Sequence, residues 1–451
     1  MNTEEIRSRV RAMMPEILAD LERLVAIPSV AFPGYPPEPV HEMADATLDL
    51  FRDVGFADLA LMGVPTGYPP VYGEIPGRDG SPTVMLYSHY DVQPAPPEQG
   101  WTTDPWSATR MQDGRIYGRG AADDKGGLAI HLGTLKVFEG RPPCTVRLIV
   151  EGMEETSSNL DAFVEANPEL FSCDVFVVCD SGNLRSGEPT LTTTQRGDVA
   201  CIVTVRTLTH PLHSGVFGGG APDAMMALAR LLASLQDEEG NMIVEGVSRS
   251  EWQGMDLSEE DFATAADLLD GVELTGTGSV GSRVWAGPSV SAIGLDMTTV
   301  DGSSNVLIPE VRAKISMRIA PDADPTEELD ALVRHLETHA PWGARVTVEP
   351  IDWDLGYPFR CATDGPGYTA ARRAMEAAYG GAPGEAGSGG SIPLLQTLQR
   401  AAPGAEFILW GAEDVARSRI HASDESVDPS EIERMIVAQA FLLQELADAR
   451  S

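Results

Sequence analysis

The sequence predicts an α/β protein with a mixed sheet flanked by helices and a smaller α+β domain inserted into the chain. Three observations support this fold class. Nearly continuous apolar runs at 82–90, 144–151 and 174–179 are typical of strands buried on both faces. Helical patterns alternate with these runs, as they do in layered α/β domains. After residue 197 the pattern changes to alternating strands and amphipathic helices.

Helical patterns occupy the first part of the chain. Apolar residues from Ile6 to Leu24 recur at three- and four-residue spacing, which predicts a helix that Pro15 could kink. A second helical pattern covers about 41–54. A third covers 127–138, between the first two buried runs, which gives the alternation that α/β layering requires.

The second unit has its own hydrophobic pattern. It is predicted to contain, in chain order, a strand at 198–206, a helix at 223–235, a strand at 311–319, a helix at 325–339 and a strand at 344–349. This succession forms a compact α+β unit of roughly 150 residues, the usual size of one domain.

The last part of the chain is predicted to return to the α/β pattern, with a strand at 406–410 and a final helix. Asp428 can cap that helix, Pro429 suits its first position, and Glu431 lies where a capping box places a carboxylate. The glycine-rich stretch 384–390 is predicted to be a loop.

These patterns divide the 451 residues into two domains. The inserted α+β domain is predicted at 197–355. The larger domain is predicted to be formed by residues 1–196 and 356–451 together.

The composition is that of a globular protein. Hydrophobic residues make up 43% and charged residues 22% of the chain, which excludes disorder, collagen and coiled coil as the main architecture. The chain has 32 basic and 68 acidic residues, a formal charge of −36. Because such a surface repels phosphates and anionic lipids, we expect neither nucleic-acid nor membrane-surface binding.

The cysteines and the N-terminus predict a cytoplasmic location. The five cysteines are scattered, and no pair has C-x-x-C spacing, so we expect free thiols rather than disulfides or a zinc–thiolate site. The N-terminal residues are charged where a secretory signal would be apolar, and no apolar run approaches the roughly 18 residues of a membrane span.

Acidic and histidine side chains follow the predicted strands. His89 ends the first buried run, and Asp91 lies two residues on, on the same face, where it could orient the imidazole as a metal ligand; a strand-end histidine beside a solvated Asp is the alternative. Asp123 and Asp124 stand together before a helix. A helix cap needs one Asp, so the pair indicates a cation.

Further acids follow the next two strands. Glu154 and Glu155 can share one site only if the preceding strand has ended, and Gly152 is consistent with such an ending. Asp180 follows another strand, and His421 stands alone in a polar loop near the C-terminal end of the chain. Ligands bind at the carboxyl ends of strands in open α/β sheets. A cluster of histidines and carboxylates without cysteine there indicates a two-metal hydrolytic site.

In their order along nearly the whole chain, these residues resemble the signature of the M20 metallopeptidase family. That family includes carboxypeptidase G-type enzymes, carnosinase-like dipeptidases, aminoacylases and succinyl-diaminopimelate desuccinylases. The motifs that carry the resemblance are His89-x-Asp91, Gly118-Arg119-Gly120-x-x-Asp123-Asp124-Lys125-Gly126, Glu151-Gly152-x-Glu154-Glu155, Asp180 and His421.

The resemblance implies two divalent ions, with Zn²⁺ favoured over Mn²⁺ or Co²⁺. It places one ion on His89, Asp123 and Asp180, and the second on Asp123, Glu155 and His421. Asp123 would bridge the two ions.

Two further roles follow from the same resemblance. Asp91 would support His89, and Glu154 would be the general base and acid. A cis peptide bond would join Asp123 to Asp124.

The inserted domain resembles the family's lid and dimerisation domain, which implies a homodimer. His213 would reach the partner's active site and stabilise the oxyanion; a turn histidine is the alternative. Arg318, with Asn305 nearby, would bind the substrate's carboxylate, although a solvated sheet face explains Arg318 about as well. The loop containing Gly390 and Ser391 would hold the same end of the substrate, unless it is a flexible linker.

The implied activity is hydrolysis of dipeptides or short peptides with a free C-terminal carboxylate. Asp180 favours the dipeptidase branch, because acylase and desuccinylase branches commonly carry Glu at this position. Asp424 stands where relatives frequently carry Asn. The alternatives are an N-acyl or N-carbamoyl amino acid amidohydrolase, and a catalytically silent scaffold of the same fold.

Overall fold

A large mixed sheet and a smaller antiparallel sheet organise the chain in the computed structural model. The structure describes residues 1–56, 58–156, 158–351, 355–392 and 394–449. Each sheet has its own hydrophobic core, and the large sheet has a core on each face.

The large sheet has nine strands among the described residues. Eight follow in spatial order as Ala60–Leu61, Val71–Ile75, Thr145–Glu151, Thr83–His89, Val175–Val178, Glu406–Leu409, Thr190–Gln195 and Phe359–Arg360. The ninth, Gly384–Ser388, pairs in parallel with Thr190–Gln195. The inner strands from Thr145–Glu151 to Glu406–Leu409 are parallel to one another, so their carboxyl ends lie at one edge.

Alternate residues of the strand Thr83–His89 enter opposite cores, as expected of a strand buried on both faces. Val84 and Leu86 belong to one core, and Met85 and Tyr87 to the other. The first core is closed by the helices Thr3–Val25, Glu38–Arg52, Lys125–Val137, Pro366–Tyr379 and Pro429–Asp448. The second is closed by the helices Asp161–Ala166, Pro168–Phe171 and Leu394–Ala401.

The small sheet is entirely antiparallel. Its spatial order is Ser289–Asp296, Glu310–Ile319, Gly197–Arg206 and Arg345–Pro350. The helices Ala224–Ala233 and Pro325–Thr338 pack on one face and form a third core. The strand Ser289–Asp296 is an edge strand with mostly exposed residues.

Shorter strands and helices complete the described part of the chain. The strand pairs are Thr109–Arg110 with Ile116–Tyr117, Ile116–Tyr117 with Ser426–Val427, Gly182–Asn183 with Glu413–Asp414, and Leu212–His213 with Val306–Leu307. The short helices are Pro97–Gln99, Ser214–Phe217, Glu259–Ala265, Ser282–Ala286 and Pro341–Gly343.

The predicted fold class is confirmed, and the predicted helices and strands agree with the structure to within three residues at their ends. The first helix continues through Pro15. The small sheet begins at Gly197, whereas residues 352–354, beside the predicted boundary at 355, lie outside the described residues. None of the helices described is long and apolar enough to cross a membrane.

Two local predictions were wrong. Residues Gly384–Ser388 were predicted as a loop but form a strand. The glycines allow this backbone to lie close to Met255 and Trp285, because a Cβ at Gly384 would collide with Met255 and one at Gly387 with Trp285. Glu431 is not seen to form a capping box. It is fully buried and accepts hydrogen bonds from neighbouring elements instead; the donors are Asn183 Nδ2 (2.6 Å), Gly187 N (2.9 Å) and Tyr379 OH (2.8 Å).

Candidate metal centre

The proposed ligands meet at the carboxyl edge of the large sheet. His89 is the last residue of its strand, Glu155 lies four residues beyond the end of Thr145–Glu151, and Asp180 lies two residues beyond Val175–Val178. Because these strands are parallel, their ends converge there.

A first group of ligand atoms comes from His89, Asp123 and Asp180. The Nε2 atom of His89 lies 2.9 Å from Asp123 Oδ1 and 3.9 Å from Asp180 Oδ1. All three residues present ligand atoms within 4.8 Å of one another. His89 is fully buried, and Asp123 and Asp180 are nearly so.

A second group is formed by Asp123, Glu155 and His421. The Nε2 atom of His421 lies 3.0 Å from Asp123 Oδ2 and 3.1 Å from Glu155 Oε2. The two oxygens of Asp123 therefore face one group each. The His421 side chain is 52% exposed, so the centre opens to solvent on this side.

The donor set fits two divalent cations. Asp123, Glu154, Glu155 and Asp180 gather around two imidazoles, and none of these carboxylates forms an ion pair with a described Lys or Arg. Without a cation such a concentration of buried negative charge is costly. Imidazole and carboxylate are the ligand types of zinc-type centres that lack cysteine.

The titration behaviour reflects this excess of acid. Although burial opposes ionisation, hydrogen bonds with His421 and His89 lower the pKa of Asp123. Burial raises the pKa of Asp180 to about 7, with His89 opposing the shift and Asp123 adding to it. Burial acts to lower the pKa of His421, yet its hydrogen bonds to Asp123 and Glu155 raise it to about 11.

The adjacent acids Asp123 and Asp124 have separate tasks. Asp124 caps the helix Lys125–Val137, where its Oδ1 accepts the N–H of Gly127 at 3.1 Å, and its Oδ2 accepts the N–H of His89 at 3.1 Å. Asp123 remains free to face both groups. The peptide bond between them is cis, as the resemblance implies.

Asp91 lies behind His89, but its contacts differ from the expected carboxylate–histidine pair. Nδ1 of His89 lies 3.0 Å from the main-chain oxygen of Asp91 and 3.5 Å from its Oδ1. The carboxylate accepts the N–H groups of Glu154 and Glu155, each at 3.1 Å. Two N–H donors point into this carboxylate because the strand has ended at Glu151.

Glu154 and Glu155 therefore leave the strand together and reach one site. Glu155 is held on its other side by Gln93, whose N–H and Nε2 donate to its carboxylate at 3.2 and 2.8 Å. Burial, followed by the Asp180 charge, raises the pKa of Glu154 well above its ordinary value. Such an environment suits a carboxylate that must both accept and return a proton.

The other residues named from the sequence make no hydrogen bond or ion pair with either group within the described part of the chain. His213 is exposed, and its Nδ1 accepts the N–H of Gly215 at 3.1 Å. Asn305 is exposed, and its main-chain oxygen accepts the N–H of Ser214 at 2.9 Å.

The remaining candidates lie where the two sheets approach each other. Arg318 Nε is 3.7 Å from Asp198 Oδ1 and its side chain is 38% exposed. Gly390 is exposed and Ser391 partly buried, directly after the strand Gly384–Ser388. The buried Arg196 connects these parts, since Nε donates to the Gly389 carbonyl (3.3 Å) and Nη1 to Ser289 Oγ (3.1 Å).

Sequence reasoning missed two supports of the centre. Gln93 carries no charge and lies in an irregular segment, so no pattern marks it. Glu425 accepts main-chain N–H groups of the segment that contains Asp123, although 302 residues separate the two. Its proximity to His421 in the sequence is the one signal that could have identified it.

Comparison with known proteins agrees with this geometry. The model of peptidase family M20/M25/M40 matches residues 85–445, well over half of the chain. The cysteinylglycine-S-conjugate dipeptidase of Corynebacterium striatum is 40% identical over 372 residues, which cover 80% of this chain and 81% of that protein. The Beta-Ala-His dipeptidase of Rattus norvegicus is 29% identical over 413 residues, covering 86% and 80%.

Solved structures show the same fold. Human carnosine dipeptidase 1 is similar with a TM-score of 0.80 and 26% identity, covering 99% of both chains. The dipeptidase Dug1p of Saccharomyces cerevisiae has a TM-score of 0.84 and 24% identity, also covering 99% of both chains. With the matched family model and the two carboxylate–imidazole groups, these similarities confirm the resemblance: the chain is an enzyme and belongs to peptidase family M20/M25/M40.

Proposed function

We propose that this protein is a two-metal dipeptidase that hydrolyses dipeptides or short peptides with a free C-terminal carboxylate. The observation that carries the proposal is the pair of ligand groups that share Asp123, with Glu154 beside them. The names of the relatives, which are dipeptidases, support the same substrate class.

One ion would be held by His89, Asp123 and Asp180, and the second by Asp123, Glu155 and His421. Zn²⁺ suits this mixture of imidazole and carboxylate, and Mn²⁺ and Co²⁺ are the other candidates. When bound, such ions supply Lewis acidity, which lowers the pKa of a water and polarises the scissile carbonyl.

Glu154 would accept the proton of the attacking water and deliver it to the leaving amine. Its raised pKa makes the carboxylate a stronger base than an exposed Glu, and its partial burial limits competition from bulk water. Asp91 would hold Glu154 in place through the main-chain N–H that its carboxylate accepts.

The substrate's carboxylate would bind Arg318, together with Asn305 and the backbone and hydroxyl of Gly390 and Ser391. A guanidinium can form two parallel hydrogen bonds with a carboxylate, which fixes the orientation of the peptide. The salt bridge with Asp198 is long, at 3.7 Å, so Arg318 can change partner at little cost.

We further propose that the inserted domain is a lid and dimerisation domain. His213, exposed and without a contact to its own centre among the described residues, would complete the site of the partner subunit in a homodimer. We place the enzyme in the cytoplasm, where the five cysteines would remain reduced.

Two variants test the proposal by separating metal binding from catalysis. Glu154→Gln should reduce kcat by a factor of about 100 to 10,000 and leave metal content unchanged, because Glu154 is a proton carrier and not a ligand. Glu155→Gln, its neighbour, should lose metal as well as activity. Substantial activity in Glu154→Gln would overturn the assignment of the base.

A substrate panel tests the class of peptide. Dipeptides should be hydrolysed far faster than N-acetylated or N-carbamoylated amino acids when each is assayed with Zn²⁺, Mn²⁺ and Co²⁺. The opposite ranking would identify an amidohydrolase. Absence of turnover with every substrate and metal would favour a catalytically silent protein.

A further inference from the structure

A buried ion pair joins the two chain segments that carry Asp123 and His421. Arg119 Nη1 lies 2.6 Å from Glu425 Oε2, and the two side chains are 1% and 0% exposed. Glu425 belongs to the loop of His421, whereas Arg119 precedes Asp123 by four residues. The pair therefore connects the ligand shared by both groups with a ligand of the second group.

The Glu425 carboxylate accepts a set of main-chain hydrogen bonds from the Asp123 segment. Its Oε1 accepts the N–H of Ala122 at 3.0 Å and that of Asp123 at 3.1 Å, and its Oε2 accepts the N–H of Gly120 at 3.1 Å. These bonds fix the main chain from which the Asp123 side chain extends. The direction of both Asp123 oxygens thus depends on Glu425.

Arg119 holds the other segment. Its Nη2 donates to the main-chain oxygen of Ala422 at 3.1 Å, directly after His421, and to that of Pro94 at 3.3 Å. His421 itself has a φ of +63°, in the left-handed region that a residue with a Cβ rarely adopts. Such backbone persists where surrounding contacts fix it.

Stability alone explains this arrangement poorly. Replacing a buried ion pair by apolar residues is often neutral or stabilising, because desolvation offsets the attraction between the charges. The carboxylate of this pair accepts main-chain hydrogen bonds from the Asp123 segment, and the guanidinium donates to the His421 loop as well as to Pro94 and Gln99. The pair is therefore placed to orient both ligand-bearing segments. Second-layer contacts of this kind set the geometry of metal ligands.

We propose that Glu425 is a positioning residue which, with Arg119, sets the distance between the Asp123 carboxylate and the His421 imidazole. This inference rests on the proposed two-metal centre and adds a requirement to it. The second ion, bound by Asp123, Glu155 and His421, depends on both connected segments, whereas the first depends on one. Loss of Glu425 should therefore weaken the second ion most.

The test is a metal titration of Glu425→Gln. A glutamine has one acceptor oxygen for the four donors, and it leaves Arg119 without a carboxylate. We expect the affinity of the site formed by Asp123, Glu155 and His421 for Zn²⁺ to fall about 10- to 100-fold, measured by calorimetry on the chelator-stripped full-length chain. At a Zn²⁺ concentration that just loads the wild type with two ions, the variant should contain closer to one ion per chain.

Asp414→Asn is the matched control. Asp414 also forms a buried pair, with Arg115 Nη1 at 2.8 Å, but its carboxylate accepts hydrogen bonds from Arg115 and Ser186 rather than from the Asp123 segment. This variant should lose thermal stability comparably and still bind two ions. Asp424→Asn, which keeps an acceptor for Thr102, should behave like the wild type.

The outcomes separate this inference from the proposed function. A wild-type chain that does not bind two ions contradicts the two-metal centre itself. A wild type with two ions and a Glu425→Gln variant of equal affinity, or an equal loss in Asp414→Asn, overturns the positioning role alone. If Glu425→Gln does not fold, Arg119→Lys decides, because a lysine keeps the charge but lacks the separate nitrogens that donate to Glu425 and Ala422. Unchanged affinity would then overturn the role, and weaker binding of the second ion would support it.

Discussion

The main-chain oxygen of Asp91 lies 3.0 Å from Nδ1 of His89, whereas the nearer carboxylate oxygen of Asp91 is 3.5 Å away. The main chain of Asp91 thus contacts the imidazole, and its side chain binds the N–H groups of Glu154 and Glu155. One residue therefore connects the proposed ligand His89 to the turn that carries the proposed base.

This arrangement predicts the effect of Asp91→Asn. The variant keeps the main-chain contact to His89 but places an amide group against one of the two N–H donors. We expect kcat to fall about 10- to 100-fold, with the ion on His89 retained. Steady-state kinetics with metal analysis measures both quantities, and a loss of both ions with normal folding would contradict this division of tasks.

Arg318→Met tests recognition of the substrate's carboxylate. Removal of a charge-assisted pair should raise KM for a dipeptide about 10- to 100-fold and change kcat little. The matched control is Arg312→Met, on the same strand and paired with Asp296 at 3.3 Å. If Arg318 belongs to a solvated face, the two variants will have the same KM for the dipeptide. If Arg318 binds the carboxylate, the KM for a C-terminally amidated dipeptide should change in neither variant.

The role of His213 can be tested by mixing inactive subunits. If His213 acts in the partner's site, a dimer of one His213→Ala and one Glu154→Gln subunit contains one complete site. Random reassociation of an equal mixture should then recover about one quarter of the wild-type activity. Both parent variants assayed alone are the controls, and a mixture as inactive as its parents would contradict action across the dimer.

His131 predicts an acid-dependent loss of stability. Burial lowers its pKa from 6.5 to about 4, although its hydrogen bonds with the Tyr87 carbonyl and Gln439 oppose the shift. Below pH 6.5 the unfolded chain binds a proton that the folded chain does not bind until about pH 4. Stability therefore falls as the pH decreases through this window, and the contribution is fully present above pH 6.5.

The expected contribution is about 2 to 3 kcal/mol between pH 7.5 and pH 4.5. Urea unfolding at both values should show a smaller difference for His131→Gln than for the wild type. Since any loss of metal in acid affects both proteins, the comparison isolates His131. Equal differences would show that this imidazole is protonated in the folded state.

The sequence predicts the parts of the fold that depend on local pattern. The strand Thr83–His89 follows from its apolar run, and the cap Asp428 follows from its position before Pro429, where its side chain accepts the N–H of Ser430. The proposed ligand set follows from acids and histidines at strand ends, before a helix and in a polar loop, together with the family resemblance. Each of these signals lies within a few neighbouring residues of the sequence.

Features that depend on distant contacts could not be predicted. The strand Gly384–Ser388 forms because its glycines allow the close approach of Met255 and Trp285 and the pairing with Thr190–Gln195. In the sequence alone, the same glycine-rich composition predicts a loop. The Asp91 carboxylate binds N–H groups more than 60 residues away. The Glu425 carboxylate accepts the N–H of Asp123, which lies 302 residues earlier in the sequence.

Anomalous X-ray scattering from crystals of the Zn²⁺-loaded protein tests the two-metal centre most directly. We expect two zinc peaks per chain, one among His89, Asp123 and Asp180 and one among Asp123, Glu155 and His421, with one Asp123 oxygen directed at each. A single peak, or peaks bound by other residues, would contradict the assignment.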